Sequence, residues 1–173
     1  MNKQSLARKI YQISNIEGKF TLRSGQQTTQ YFDKYLFEAE PHLLAEIANQ
    51  LRFLIPKNID ALAGLEMGGI SIATALSLQT GIPLLFVRKQ AKNYGTCKLI
   101  EGGAIKGKSL LIIEDVVTSG GAIIDAVTQL RNLGATVDKA LCVIDREGTG
   151  LKNLQNIKIT LEPLFTKSYL ESA

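Results

Sequence analysis

The 173-residue chain predicts an open α/β fold, with a central, mainly parallel sheet flanked by helices. Three observations carry this expectation. The runs DALAG (60–64), PLLFV (83–87), SLLIIE (109–114) and VDKALCVI (137–144) are apolar on both faces, as strands covered on both sides must be. Helical periodicity stands between them, from Gly69 to Gln79 and from Gly121 to Leu133. Strands separated by helices of this length lie side by side in parallel. In such sheets a ligand binds beyond the carboxyl ends of the strands, so segments 64–69, 88–102, 114–121 and 145–150 are where a site is expected.

The flanking elements follow from simpler signals. Leu6, Ala7, Ile10, Tyr11 and Ile13 recur at helical spacing and predict a short amphipathic helix over 2–14. In KFTLRSGQQTTQYFDKY two β-prone runs surround Ser24-Gly25-Gln26, the pattern of a hairpin. Pro41 suits the first turn of a helix whose stripe is Leu43, Leu44, Ile47, Ala48, Leu51 and Leu54, ending before Pro56. NIKITLEPLF offers one more strand, followed by a short terminal helix.

Composition bounds the function. A chain of this length forms one domain with a core of its own, and 45% hydrophobic with 21% charged residues is globular composition without low-complexity tracts or repeats. The net charge of +4 permits anionic ligands but does not single out nucleic acid. Cys97 and Cys142 are too far apart for a zinc or disulfide framework; both read as reduced thiols, Cys142 in the core. His42, the sole histidine, follows Pro41 at a helix start and is expected to be exposed, so neither histidine catalysis nor a histidine metal site is expected. The first residues lack the apolar run of a signal peptide and no stretch approaches bilayer-spanning length, so a cytoplasmic protein without membrane partners is expected.

Two glycine turns compete for phosphate. Gly102, Gly107, Lys108 and Ser109 satisfy GxxxxGK[ST], yet LLIIE follows, a strand, where that motif needs a helix amino terminus. This turn therefore reads as a polar entry to a strand. The second turn has the required context: a strand, then Val116, Val117, Thr118, Ser119, Gly120, Gly121 and Ala122, then a helix stopped at Gly134. Hydroxyls and consecutive amides at a helix start hold a phosphate monoester, each charge-assisted bond contributing roughly 1.5–3 kcal/mol. Just before it stand Glu114 and Asp115, placed at a strand end to receive sugar hydroxyls, or equally to act as an exposed or capping acidic pair. In extended chain they point apart and cannot form a facing acid/base couple. Acids beside an anion cradle suggest a ribose 5-phosphate.

The stretch IIEDVVTSGGA resembles the phosphoribosyl-diphosphate signature of the type I phosphoribosyltransferases. GKFTLRSG (18–25), GLEMGGI (64–70), VRKQAKNYGTCKLIEG (87–102) and IDREG (144–148) are similar, in order, to orotate phosphoribosyltransferases, so the resemblance spans nearly the whole chain. It implies the type I phosphoribosyltransferase fold with a small helix/hairpin hood from residues 1–40 and the C-terminal tail. The implied reaction joins orotate to 5-phosphoribosyl 1-diphosphate, giving orotidine 5′-monophosphate and diphosphate, with Mg²⁺ carried on the diphosphate rather than held directly by the chain. The resemblance assigns Glu66, Met67 and Gly68 to the diphosphate loop and makes Lys92 the catalytic lysine on a loop that completes the neighbouring site of a homodimer. It further implies that Arg88, Lys89, Tyr94 and residues 114–122 bind the phosphoribosyl diphosphate and that Asp115 steadies the ribosyl cation. Arg23, Tyr31, Phe32, Thr118 and Arg146 would surround orotate.

Plainer readings stand beside these. A basic loop with Arg88, Lys89, Lys92 and Lys98 is also what a solvated surface loop looks like, although a leaving diphosphate needs such cations. Arg23 and Arg146 match a carboxylate, yet either could equally be a surface ion pair, Arg146 with Asp145 or Glu147. Tyr31 and Phe32 fit ring packing or ordinary hairpin core. The competing functions are a phosphoribosyltransferase for another base and a non-catalytic regulator that binds the same diphosphate.

Overall fold

A computed structural model describes residues 1–21, 25–90 and 99–173. Helix α1 (Lys3–Ser14) leads into an antiparallel hairpin of β1 (Asn15–Thr21) and β2 (Gln27–Phe32), then the short helix α2 (Lys34–Ala39) and α3 (Pro41–Leu51). Next come β3 (Ala61–Leu65), α4 (Gly68–Thr80), β4 (Leu84–Val87), β5 (Ile100–Glu101), β6 (Ser109–Val117) and α5 (Gly121–Asn132). β7 (Thr136–Asp145), α6 (Gly150–Asn156), β8 (Thr160–Thr166) and α7 (Lys167–Ser172) complete the chain. The large sheet has the order β5-β4-β3-β6-β7-β8, parallel throughout except for β5 at the edge.

Alternation along the central strands divides the interior in two. On β6, Leu110 and Ile112 join one core with Ile123, Val127 and Leu130 of α5 and Leu154 of α6. Leu111 and Ile113 face the opposite core, with Ile72 and Leu76 of α4, Ile47 of α3, Leu6 and Ile10 of α1 and Leu170 of α7. Apolar residues at every position of a strand thus become two packed layers. Cys142 is buried in the first core, as expected, and His42 is exposed.

Four features depart from the sequence expectation. SLLIIE does not end at Glu114: β6 runs on to Val117 because Val116 and Val117 still pair with Ile144 and Asp145 of β7, so the loop is only Thr118–Gly120. On its other side β6 pairs with β3 only as far as Ile113. The last four residues of the strand are therefore open along one edge, and that crevice is where ligands lie in such sheets. Helices α2 and α6 and the two-residue β5 were not anticipated, since six or seven residues are too few to show a period. Their tertiary anchors hold them: Phe37 of α2 and Leu154 of α6 are fully buried.

At the amino end, Arg8 donates to the Ala173 carbonyl at 2.8 and 3.0 Å, and Lys3 lies over the rings of Phe165 and Tyr169. The two ends of the chain are thus tied beside the hairpin. Among the described residues no helix is long and apolar enough to cross a membrane.

Candidate active site

The Thr118–Gly120 turn is built by its carbonyls. Gly150 N donates to Thr118 O at 2.9 Å, Asn153 Nδ2 to Ser119 O at 3.0 Å, and Ile124 N to Gly120 O at 3.0 Å. In a trans peptide the C=O and the following N–H point in opposite directions. With three successive carbonyls fixed behind the loop, the amides of Ser119, Gly120 and Gly121 face the other way, into a cavity of about 140 Å³ lined by Glu114 and Val116–Ile123. Gly120 sits at φ +77°, left-handed, and a Cβ there would also meet Leu154 Cγ at 3.1 Å. Helix α6, invisible in the sequence pattern, is what aims this turn.

Behind the cradle lie the acids. Glu114 is 8% exposed and Asp115 is 0% exposed. Although neighbours on a strand project apart, Glu114 turns back so that its Oε1 accepts from Asp115 N at 3.0 Å, and Asp115 Oδ1 accepts from Val116 N at 2.5 Å. Lys34, at the start of α2, brings its Nζ within 2.5 Å of Asp115 Oδ2. Glu38, one turn later, is 8% exposed, and Ser71 of α4 donates to its Oε2 at 3.1 Å. These groups do not ionise alike. Burial pushes Glu38 up to about 8, with help from the nearby Asp115 charge. Burial and the same charge push Glu114 well above the usual carboxylate range. Burial alone would raise Asp115 too, but hydrogen bonds from Glu114 and Lys34 and the Lys34 charge outweigh it and hold Asp115 low. Asp115 is thus the acid held ionised against the Lys34 ammonium, while burial and the Asp115 charge favour the neutral forms of Glu38 and Glu114.

A second wall is formed by the ends of β3 and β4. β3 delivers Glu66, Met67 and Gly68, with a cis Glu66–Met67 peptide and an exposed Met67. Glu66 Oε2 accepts from Lys89 N at 3.0 Å, joining the ends of β3 and β4, and Arg88 N donates to Leu99 O at 3.0 Å. Leu65, Glu66, Arg88, Lys89, Gly121 and Ala122 line a cavity of about 360 Å³. Arg23, Lys92, Tyr94 and Lys98 lie outside the described residues.

Toward the hairpin a cavity of about 460 Å³ collects Tyr31, Phe32, Lys34, Val116, Thr118 and Arg146. Tyr31 packs on Phe20 with ring centroids 5.5 Å apart and stays half-exposed, whereas Phe32 turns toward Phe37 at 6.5 Å. Glu147 is not left to neutralise Arg146: its two carboxylate oxygens take the Ser168 amide and hydroxyl, each at 2.8 Å. Asp145 Oδ1 accepts from Glu147 N at 3.0 Å. The Arg146 guanidinium is exposed on the cavity.

A phosphoribosyl transferase domain model matches residues 33–169. An orotate phosphoribosyltransferase from Nocardioides sp. (strain ATCC BAA-499 / JS614) is 50% identical over 169 residues, covering 98% of this chain and 94% of that protein. This chain belongs to the orotate phosphoribosyltransferase family. Another family member, from Methanocella arvoryzae, is 42% identical, covering 88% of this chain and 87% of its own length. Among solved structures, the Mycobacterium tuberculosis orotate phosphoribosyltransferase superposes with a TM-score of 0.88 at 27% identity, covering 97% of this chain and 98% of that one. As a phosphoribosyltransferase the chain is an enzyme of pentosyl transfer.

Within this orotate phosphoribosyltransferase fold, the sequence pattern brought out Glu114, Asp115 and the 118–122 turn. It missed Lys34, Glu38, Ser71 and Asn153. A signal for the first two was present: Lys34 and Glu38 are four apart directly after the hairpin and share one helical face.

Proposed function

We propose that the enzyme transfers the phosphoribosyl group of 5-phosphoribosyl 1-diphosphate to orotate, giving orotidine 5′-monophosphate and diphosphate, a step of pyrimidine synthesis in the cytoplasm. The observation that carries this is the sharing of one strand end. The amides of the 118–122 turn and the ionised Asp115 lie within eight residues on β6 and the turn after it, and Arg146 directly follows the adjacent strand β7. A molecule with a phosphate, a diol and an attached anionic base fits that order.

The 5′-phosphate sits on the Ser119, Gly120 and Gly121 amides at the start of α5, where the helix dipole adds to the hydrogen bonds. Asp115 accepts from the ribose hydroxyls. The bond from the anomeric carbon to the diphosphate oxygen breaks, a bond to an orotate ring nitrogen forms as that nitrogen's proton passes to the departing diphosphate or to water, and the ionised Asp115 steadies the positive charge that appears on the ribose between these events. Arg88, Lys89 and, from the basic loop, Lys92 and Tyr94 meet the departing diphosphate, beside the Glu66–Met67–Gly68 turn. Mg²⁺ shields the diphosphate charge when bound to it. The donor set fits an ion that arrives on the substrate: among the described residues no group of three His, Cys, Asp or Glu could hold a metal, and Asp115 already has Lys34. Arg146 pairs with the orotate carboxylate, with Arg23, Tyr31, Phe32 and Thr118 around the ring. The hood over the base comprises residues 1–40 and the C-terminal tail, whose tie through Arg8 supports this. A homodimer, with the basic loop of one copy serving the other, completes the site.

The test is direct. Orotate absorbance should fall in the presence of 5-phosphoribosyl 1-diphosphate and Mg²⁺, with uracil, adenine and hypoxanthine inert; turnover of one of those bases instead would replace the assignment. Lys92→Ala is expected to lower kcat by about a hundredfold or more while changing the KM for the diphosphate substrate only a few-fold, the signature of a contact made chiefly in the transition state. Equal losses in both constants would make Lys92 a binding residue.

A further inference from the structure

We propose that Lys34 and Glu38 are positioning residues, a two-part clasp on α2 that fixes the Asp115 carboxylate for the ribose and cancels its charge toward the incoming polyanion. The clasp rests on the assignment of Asp115 to the ribose.

The geometry is specific. Lys34 and Glu38 lie one helical turn apart on the same face of α2, and both reach the Asp115 carboxylate. Lys34 Nζ is 2.5 Å from Asp115 Oδ2. The Glu38 carboxyl hydrogen-bonds to Asp115 as well, and its Oε1 has no nitrogen or hydroxyl partner among the described residues. Both oxygens crowd the space where Gly68 lacks a Cβ: a carbon there would stand 1.6 Å from Asp115 Oδ2 and 2.9 Å from Glu38 Oε1. Two carboxyl oxygens pressed together in a buried pocket must share a proton, since two like charges cannot both be held there. Glu38 is the donor, and Ser71 fixes its other oxygen.

The charge count gives the purpose. Glu38, Glu114 and Asp115 would place three negative charges under a substrate that is itself a polyanion. With Lys34 paired to Asp115 and burial favouring the neutral forms of Glu38 and Glu114, the negative charge on the floor of the site is reduced while an ionised acceptor is kept for the ribose hydroxyls. The charged groups facing Glu38 are Lys34 on its own helix and Asp115 on β6, with Glu114 beside Asp115; from α4 comes the Ser71 hydroxyl.

The clasp is tested on the full chain with Lys34→Met, Lys34→Arg, Glu38→Ala and Glu38→Gln. Lys34→Met and Glu38→Ala should each raise the KM for 5-phosphoribosyl 1-diphosphate about tenfold or more, as expected for losing a hydrogen bond to a charged group, and leave the orotate KM unchanged. Lys34→Arg should restore most of the loss. In the wild type, kcat/KM for the diphosphate substrate should fall above about pH 8 as Glu38 ionises against Asp115, and Glu38→Gln, which still donates but cannot ionise, should lack that fall. Wild-type constants and an unchanged pH profile in Lys34→Met and Glu38→Gln would overturn the clasp. Melting temperature gives a readout independent of turnover. Glu38 is raised above its free value, so its contribution is complete at pH below about 4.5 and is lost as pH rises through about 8. The wild type should therefore lose stability across that window and Glu38→Gln should not; equal slopes would reject the shared proton. If orotate is not consumed by the wild type, the functional assignment fails, and the melting comparison still decides the clasp.

Discussion

Asp115→Asn is expected to reduce kcat/KM for 5-phosphoribosyl 1-diphosphate by about 10²–10³-fold while the protein remains folded. The carboxylate is the one acid of its cluster held low, and in the proposed reaction it is the ionised acceptor for the ribose hydroxyls, turning from its fully buried position to face the cation that forms between bond breaking and bond making. A hydrogen bond to a charged group contributes about 1.5–3 kcal/mol, and each 1.4 kcal/mol is a tenfold change, so losing the charge under two hydroxyls accounts for that range. Asparagine keeps the shape and one acceptor oxygen, which separates charge from packing. Its cost to stability should be small: Lys34 loses its counter-ion, but its side chain is 34% exposed and can turn to water. Steady-state kinetics with thermal melting checks both halves. A loss of less than tenfold would move the ribose acceptor elsewhere, whereas a collapse of the melting transition would mean that the Lys34 pair is a fold-holding contact.

What the sequence disclosed follows the range of the forces involved. The β6–α5 unit was legible because everything that defines it is local: an apolar run, two acids, a Thr-Ser-Gly-Gly turn and a helical period. The false Walker-type turn was rejected on equally local grounds, and the structure agrees, with β6 beginning at Ser109 itself. By contrast, Lys34 contributes through a partner 81 positions away, and Asn153 through a carbonyl 34 positions away, pairings that no periodicity announces. The same holds for Arg146. Its alternative as a surface ion pair with Glu147 was open on the sequence, and only the fold shows that Ser168, at the start of the last helix, occupies both Glu147 oxygens. The end of β6 was misplaced for a related reason. Glu114-Asp115 looks like a strand terminus because charged pairs seldom sit inside sheets, but the edge facing β3 is vacant there, and the acids are accommodated in the crevice that vacancy creates.

Gly68 and Gly69 allow that crevice to be probed from the opposite wall, and alanine at the two positions is expected to fail in different ways. A Cβ on Gly69 would stand 2.3 Å from the Ile113 carbonyl oxygen and 3.1 Å from its carbonyl carbon. Both are backbone atoms of the central strand, so relief requires α4 to lift from the sheet and disturb the packing of Ile72 and Leu76 against it. Overpacking of this kind costs about 1–3 kcal/mol, and more where backbone meets backbone, so Gly69→Ala should lower the melting temperature by several degrees. A Cβ on Gly68 would instead collide with the Asp115 carboxylate, a side chain that can rotate aside. Gly68→Ala should therefore cost less stability than Gly69→Ala but break the contacts of Lys34 and Glu38 with Asp115, and its kcat/KM should fall about as far as that of Asp115→Asn. Because both act on one carboxylate, combining Gly68→Ala with Asp115→Asn should add little further loss, whereas two independent sites would multiply. Multiplicative losses would place the function of Gly68 in its close approach to the diphosphate, separate from Asp115, and would leave the carboxylate free to move without it.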